Sequence, residues 1–145
     1  MISSASQNCL ELVQTLKTAL SSGRQVRLAV LFGSVAKGSQ HAASDLDVGV
    51  LPAEDDWDLG DELELASVLT RAVGREVDLI RLDQASVVLR WEVARAHIPI
   101  FAVASTDLPR FVTAAALDHA EMAPLLARGQ TRLLHRLAHG QRPRE

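Results

Sequence analysis

Leu12, Val13, Leu16 and Leu20 recur at helical spacing, and Ser21-Ser22-Gly23 ends the helix they predict. Val26 to Phe32 then reads as a buried strand, broken by Gly33-Ser34 and followed by a short polar segment, Val35 to Ser44, that bends at Gly38. Next the period drops to two. Leu46, Val48 and Val50 alternate with Asp45, Asp47 and Gly49, which predicts a strand with one apolar and one acidic face, closed by Pro52. Leu59, Leu63, Ala66, Leu69 and Val73 return to helical spacing, and Gly74 stands where a C-terminal cap is expected. Val77 and Leu79, extended by Leu82, predict a third strand around Asp78. Asp83 can cap a helix whose apolar face carries Val87, Val88, Trp91 and Ala94. Ile98 to Val103 reads as a fourth strand, with Pro99 favouring an edge position. Asp107 and Pro109 open a helical region that reaches about His139 and is kinked or broken near Pro124.

The order α-β-α-β-α-β-α-β-α predicts an α/β fold, a small mixed sheet flanked by helices with a C-terminal helical tail. The expected division is a core over 1–106, a helical extension of the same domain over 107–139, and a disordered tail over 140–145. There is no repeat and no linker, and a chain of 145 residues can bury one core without staples. Cys9 is the only cysteine, which excludes an internal disulfide or a thiolate metal site and fits a reducing cytoplasm. The stretch from Met1 to Leu20 lacks a basic start and carries Glu11 and Lys17, so no secretory signal is expected. No apolar run is long enough to span a bilayer, and the expectation is a soluble, cytoplasmic protein with no membrane partner.

Charge is segregated. The net charge of −3 argues against a general nucleic-acid binder, so no direct nucleic-acid partner is expected. Between Asp45 and Glu64 there are nine acidic residues and no Lys or Arg, whereas Arg128, Arg132, Arg136, Arg142 and Arg144 crowd the end of the chain. An acidic pole for a metal and a basic pole for a partner is one reading; two solvated helix faces is the other. The stretch from Glu54 to Glu64 fits the solvated N-terminal part of a helix, where acids suit the dipole. The five histidines lack metal-ligand spacing and read as surface or helix-face residues, and Trp91 reads as core before it reads as a base-stacking platform.

Aspartate inside otherwise apolar strands carries the most information. A carboxylate buried without a partner costs several kcal/mol or takes up a proton, as a rough rule, and here the arrangement occurs twice, at Leu46-Asp47-Val48 and Val77-Asp78-Leu79. Asp45 and Asp47 are two apart, so on a strand both point to one face, roughly 6–7 Å apart. Two hard oxygen donors at that separation can grip a pair of divalent ions, and Asp78 on a neighbouring strand could complete the set. Magnesium suits carboxylate ligands that leave room for water and substrate phosphates. The ordinary alternative for Asp78 is a salt bridge to Arg75 or Arg81.

Gly33-Ser34 supplies a second element. At the end of a strand, free backbone N–H groups can face a phosphate, glycine lets the backbone approach closely, and the Ser34 hydroxyl adds a donor. Lys37 could reach a phosphate from the same loop or simply be solvated. Gly33 and Gly38 have P-loop spacing, yet Ser39-Gln40 stands where Lys-Ser/Thr is required, which excludes that motif.

Leu31-Phe32-Gly33-Ser34, ten residues, then Asp45-Leu46-Asp47 resembles the Gly-Ser-x10-Asp-x-Asp motif of the minimal nucleotidyltransferases, within the polymerase-beta superfamily. Val77-Asp78-Leu79-Ile80 is similar to their third-aspartate strand, and the tail from Asp107 through Phe111 to Leu137 to their closing helices. The resemblance implies that Gly33 and Ser34, with Lys37 as a further candidate, hold the phosphates of a nucleoside triphosphate, ATP. It implies that Asp45 and Asp47 bind two Mg2+ ions, and that Asp78 helps hold the catalytic one and assists deprotonation of the attacking hydroxyl. Attack at the α-phosphorus then releases pyrophosphate. Members of this size are typically antitoxins paired with a helical HEPN-type ribonuclease toxin, so the resemblance implies transfer of AMP to a toxin tyrosine. Two other readings stand beside it. One is an antitoxin of the same fold that acts by binding alone; the other is transfer to a small-molecule hydroxyl such as an aminoglycoside's, which the short chain disfavours.

Overall fold

A computed structural model of the protein describes residues 4–22, 25–38 and 45–138. The chain runs α1 (Ser4–Leu20), β1 (Val26–Phe32), β2 (Leu46–Pro52), α2 (Leu59–Val73), β3 (Val77–Arg81), α3 (Val87–Arg95), β4 (Ile98–Ala102) and α4 (Asp107–Ala138). The four strands form one mixed sheet in the order β3-β2-β1-β4. β1 pairs antiparallel with β2 and β4, and β2 pairs parallel with β3. The expected α/β architecture and mixed sheet are present.

β1 is the spine because alternate residues bury on opposite faces. Ala29 and Leu31 join Leu16, Ala19 and Leu20 of α1 and Leu65 and Leu69 of α2 in one core. Leu28, Val30 and Phe32 join Val93 and Ala94 of α3 and Phe111 and Ala115 of α4 in a second core on the other side. β2 sends Leu46, Val48 and Val50 into the first core, so Asp47, Gly49 and Leu51 face the α3–α4 side. There a Cβ on Gly49 would lie 2.9 Å from Leu82 Cδ2, so glycine lets that buried leucine sit across the strand. β4 is an edge strand, and its ladder slips between Ala29 and Val30 of β1, which leaves Pro99 at a bulge, where its missing N–H is tolerated.

Several local expectations need correction. No helix lies between β1 and β2 in residues 33–38, which form turns closed by Lys37 N–H to the Gly33 carbonyl (3.1 Å) and Gly38 N–H to the Val35 carbonyl (3.2 Å); residues 39–44 lie outside the described ones. Asp83 does not cap α3: Ser86 does, accepting from Leu89 N–H at 3.1 Å, because Asp83 is held by Arg81 at 2.6 Å. The final helix is not broken at Pro124, which lies inside α4. Pro124 and Ala120 are both exposed, so the carbonyl that loses its helical donor there faces water. Gly74 caps α2 in the left-handed conformation, as expected, with φ 71°. The acidic stretch Glu54–Asp56 precedes α2, and Asp58 and Asp61 form a reciprocal cap at its start. The expected disordered tail, 140–145, and Gly23 lie outside the described residues.

Candidate active site

The chain direction puts the polar residues together at one end of the sheet. β1 ends at Phe32 and turns at Gly33, where φ is +72°, a conformation glycine adopts without strain. β2 starts beside that turn, with Asp47 the register partner of Phe32. β3 starts on the other side of β2, and Asp78 is the register partner of Asp47. Phe32, Asp47 and Asp78 therefore make one row across three strands, on the face covered elsewhere by α3 and α4. Adjacent members stand roughly 5 Å apart at their Cα atoms. Asp45 precedes Asp47 by two and is exposed at the strand entrance, as Asp78 is on its edge strand.

Gly33 and Asp47 approach so closely that a Cβ on Gly33 would overlap Asp47 Oδ2 and lie 3.1 Å from its Cγ. The amides of Val35 and Ala36 donate no backbone hydrogen bond to another described residue, as expected for the first turn of a helix-like loop. Such amides are suited to an anion. Ser34 is half-buried at the head of this loop, and Lys37 is exposed on it.

Burial, then the charges of Asp78 and Asp45, push the Asp47 carboxyl above the usual carboxylate range. Of the two alternative partners suggested by sequence, Arg75 and Arg81, the second is not paired with Asp78. Arg81 belongs to the opposite side of β3, where it is buried and binds Asp83 at 2.6 Å, Glu62 at 3.5 Å and the Trp57 carbonyl at 3.3 Å. Gly33, Ser34, Asp45, Asp47 and Asp78 are thus gathered at one end of the sheet. The acidic residues from Glu54 to Glu62 are not, since β2 carries the chain roughly 20 Å to the far end before they begin.

Asp45, Asp47 and Asp78 form the donor set that a divalent cation would meet. Among the described residues, no group of three or more His, Cys, Asp or Glu side chains converges closely enough to cage a metal ion. The chemistry of the set still fits one: the ligands are hard oxygens, and a cation would offset both the burial of Asp47 and the repulsion from Asp78 and Asp45 that raise it. Such an ion would draw its remaining ligands from substrate phosphates and water.

Trp91 packs against the core, as its sequence reading expected, whereas His97 falls differently from its own. Trp91 is half-buried between α3 and α4, stacked on His119 with centroids 4.8 Å apart and planes 15° from parallel. His97 is neither a surface nor a helix-face residue; it is half-buried in the extended link from α3 to β4, with Nδ1 3.0 Å from the Val93 carbonyl and 3.2 Å from that of Ala94. A groove of about 1060 Å³ between α1 and α2 carries none of these residues.

The chain is similar to several known proteins. The protein adenylyltransferase MntA of Shewanella oneidensis is 44% identical over 69 residues, which are 48% of this chain and 49% of that protein, so the match spans about half the length of that relative. A toxin–antitoxin crystal structure with AMP-PNP superposes with a TM-score of 0.70 at 28% identity, over 81% of this chain and 98% of that one. A mutant of the toxin–antitoxin MntA–HpeT superposes with a TM-score of 0.62 at 25% identity, over 86% of this chain and 97% of that one. Residues 14–105 match the family described as polymerase beta, nucleotidyltransferase. That span contains the Gly33 turn, Asp45, Asp47 and Asp78, and a chain matched over it belongs to the polymerase beta nucleotidyltransferase family.

Proposed function

We propose that this protein is an antitoxin that transfers AMP from ATP to a tyrosine hydroxyl of a cognate HEPN-type ribonuclease toxin in the cytoplasm. The observation that carries the reading is the Asp47–Asp78 register pair beside the Gly33 turn. Likeness to a protein adenylyltransferase and to a toxin–antitoxin structure with AMP-PNP supports the choice of nucleotide and acceptor.

In this reading the amides after Gly33 and the Ser34 hydroxyl hold the β- and γ-phosphates, and Lys37 adds positive charge from the loop. Asp45 and Asp47, joined by Asp78, are the residues that would hold two Mg2+ ions. When bound, magnesium supplies charge neutralisation for the triphosphate and for the leaving pyrophosphate. Asp78, exposed on the edge strand, receives the tyrosine proton as the phenolic oxygen bonds to the α-phosphorus and the bond to the β-phosphate oxygen breaks. Products are AMP-tyrosine and pyrophosphate. Toxin docking is assigned to the second half of α4, where Leu125 and Leu133 are exposed beside Arg128, Arg132 and Arg136. A bulky anion placed near the toxin's own active site would then impede RNA entry.

The test is intact-mass analysis of a cognate HEPN-type toxin, after incubation with this protein, ATP and magnesium. AMP should appear on the toxin and not on this chain, which has no tyrosine. Neutralisation of the toxin with no change in its mass would favour an antitoxin that acts by binding alone.

A further inference from the structure

Ile98 pairs with Leu31, and both pack into the α1–α2 core. His97 immediately precedes β4, outside its paired residues, so it stands beside the end of β1, and its side chain turns to the other face, where α3 lies. His97 thereby adjoins the Phe32 end of the Asp78–Asp47–Phe32 row. Its Nδ1 lies against two carbonyl oxygens of α3, which only accept, so Nδ1 carries a proton and donates. That bond fixes the ring and leaves Nε2, on the opposite side of the imidazole, without a described partner.

We infer that His97 is a nucleotide-contact residue that binds the γ-phosphate end of the triphosphate through Nε2. The inference rests on the nucleotide site proposed above. The order across the sheet sets the direction. Asp78 and Asp47 mark the α-phosphate, the Gly33–Ser34 turn marks the β- and γ-phosphates, and His97 lies one strand further on. Asp47 and His97 are separated by two strand spacings, roughly 10 Å, a span that an α-to-γ chain with its bound charges fills. A contact at this point distinguishes a triphosphate from a diphosphate.

Calorimetric titration of the full chain with AMP-PNP and with ADP, both with magnesium, tests it. An asparagine amide can occupy the Nδ1 position, so His97→Asn keeps the bond to α3 and removes Nε2. His97→Gln places its amide near the Nε2 position and gives up the α3 bond. The expected result for His97→Asn is about tenfold weaker AMP-PNP binding with ADP binding unchanged, the size of one lost hydrogen bond to a charged group. His97→Gln should recover part of the AMP-PNP affinity despite a lower melting temperature. A purely structural histidine predicts the reverse ranking, with the glutamine variant weaker. If His97→Asn loosens α3 after all, both ligands weaken together, and an unchanged AMP-PNP to ADP ratio overturns the assignment. Gly33→Val serves as the control: loss of AMP-PNP binding there with none in His97→Asn overturns the histidine contact alone, while full binding in both variants overturns the nucleotide site itself.

Discussion

Gly33 presents its Cα to the carboxylate of Asp47, with space for a hydrogen and none for a methyl group. The turn that would hold phosphate and the strand residue that would hold metal are therefore in direct contact, and neither can change size independently. Gly33→Ala adds a Cβ into Asp47 and forces a left-handed conformation on an L residue, a cost of roughly 1–2 kcal/mol. AMP-PNP affinity should fall at least about tenfold, because turn and carboxylate are displaced together. Calorimetry checks it, and unchanged affinity would place the phosphates elsewhere.

Asp47 makes a prediction of opposite sign for stability. Its carboxyl is raised by burial and by the charges of Asp78 and Asp45, so the folded chain keeps the proton at pH values where the unfolded chain has released it. Stability from this group is greatest at low pH, falls as pH rises through the window between the unfolded and the raised folded value, and stays lower above it. Asp47→Asn should therefore melt a few degrees above the parent at pH 7 and lack that part of the decline. Adding magnesium should stabilise the parent and close the gap. Scanning calorimetry across pH checks the sign; a variant that melts below the parent in the absence of magnesium contradicts it.

Helix α3 supplies a test of local reasoning. Ser86 caps it, while Asp83 is committed to Arg81. Ser86→Ala should cost about 1 kcal/mol in urea unfolding. Asp83→Ala should act instead through Arg81, leaving that buried guanidinium with the Trp57 carbonyl at 3.3 Å and one more distant carboxylate, Glu62, at 3.5 Å. Restoring a cap at position 86 with Asp should recover the first loss and leave the second untouched.

What the sequence disclosed follows from how far apart the informative residues lie. Gly33-Ser34 and Asp45-Leu46-Asp47 are local patterns, and a two-residue strand period is enough to put both aspartates on one face. Asp78 could be placed on a strand by its apolar neighbours, though its pairing with Asp47 depends on a parallel register that no local pattern specifies. Asp83 and Ser86 both suit the N-terminus of α3, and only the buried Arg81 decides between them. The place of His97 is illegible for the same reason, since it stands beside Phe32 only once β4 pairs with β1. Pro124 suggested a kink or a break, and solvent exposure of the neighbouring carbonyl makes the break unnecessary.

Label transfer is also expected to be one-sided. A tyrosine-directed transferase without tyrosine has no preferred acceptor on its own chain. With labelled ATP and magnesium alone, the protein should remain nearly blank on an autoradiograph. Strong self-labelling would point to a different acceptor residue.

The most direct measurement is single-turnover transfer of labelled AMP to the cognate HEPN protein by the parent, Asp47→Asn and Asp78→Asn, with melting curves recorded alongside. If the register pair beside the Gly33 turn is the transfer site, both variants should stay folded and slow by at least about 10²–10³-fold. Transfer within about twofold of the parent by either folded variant would contradict the site.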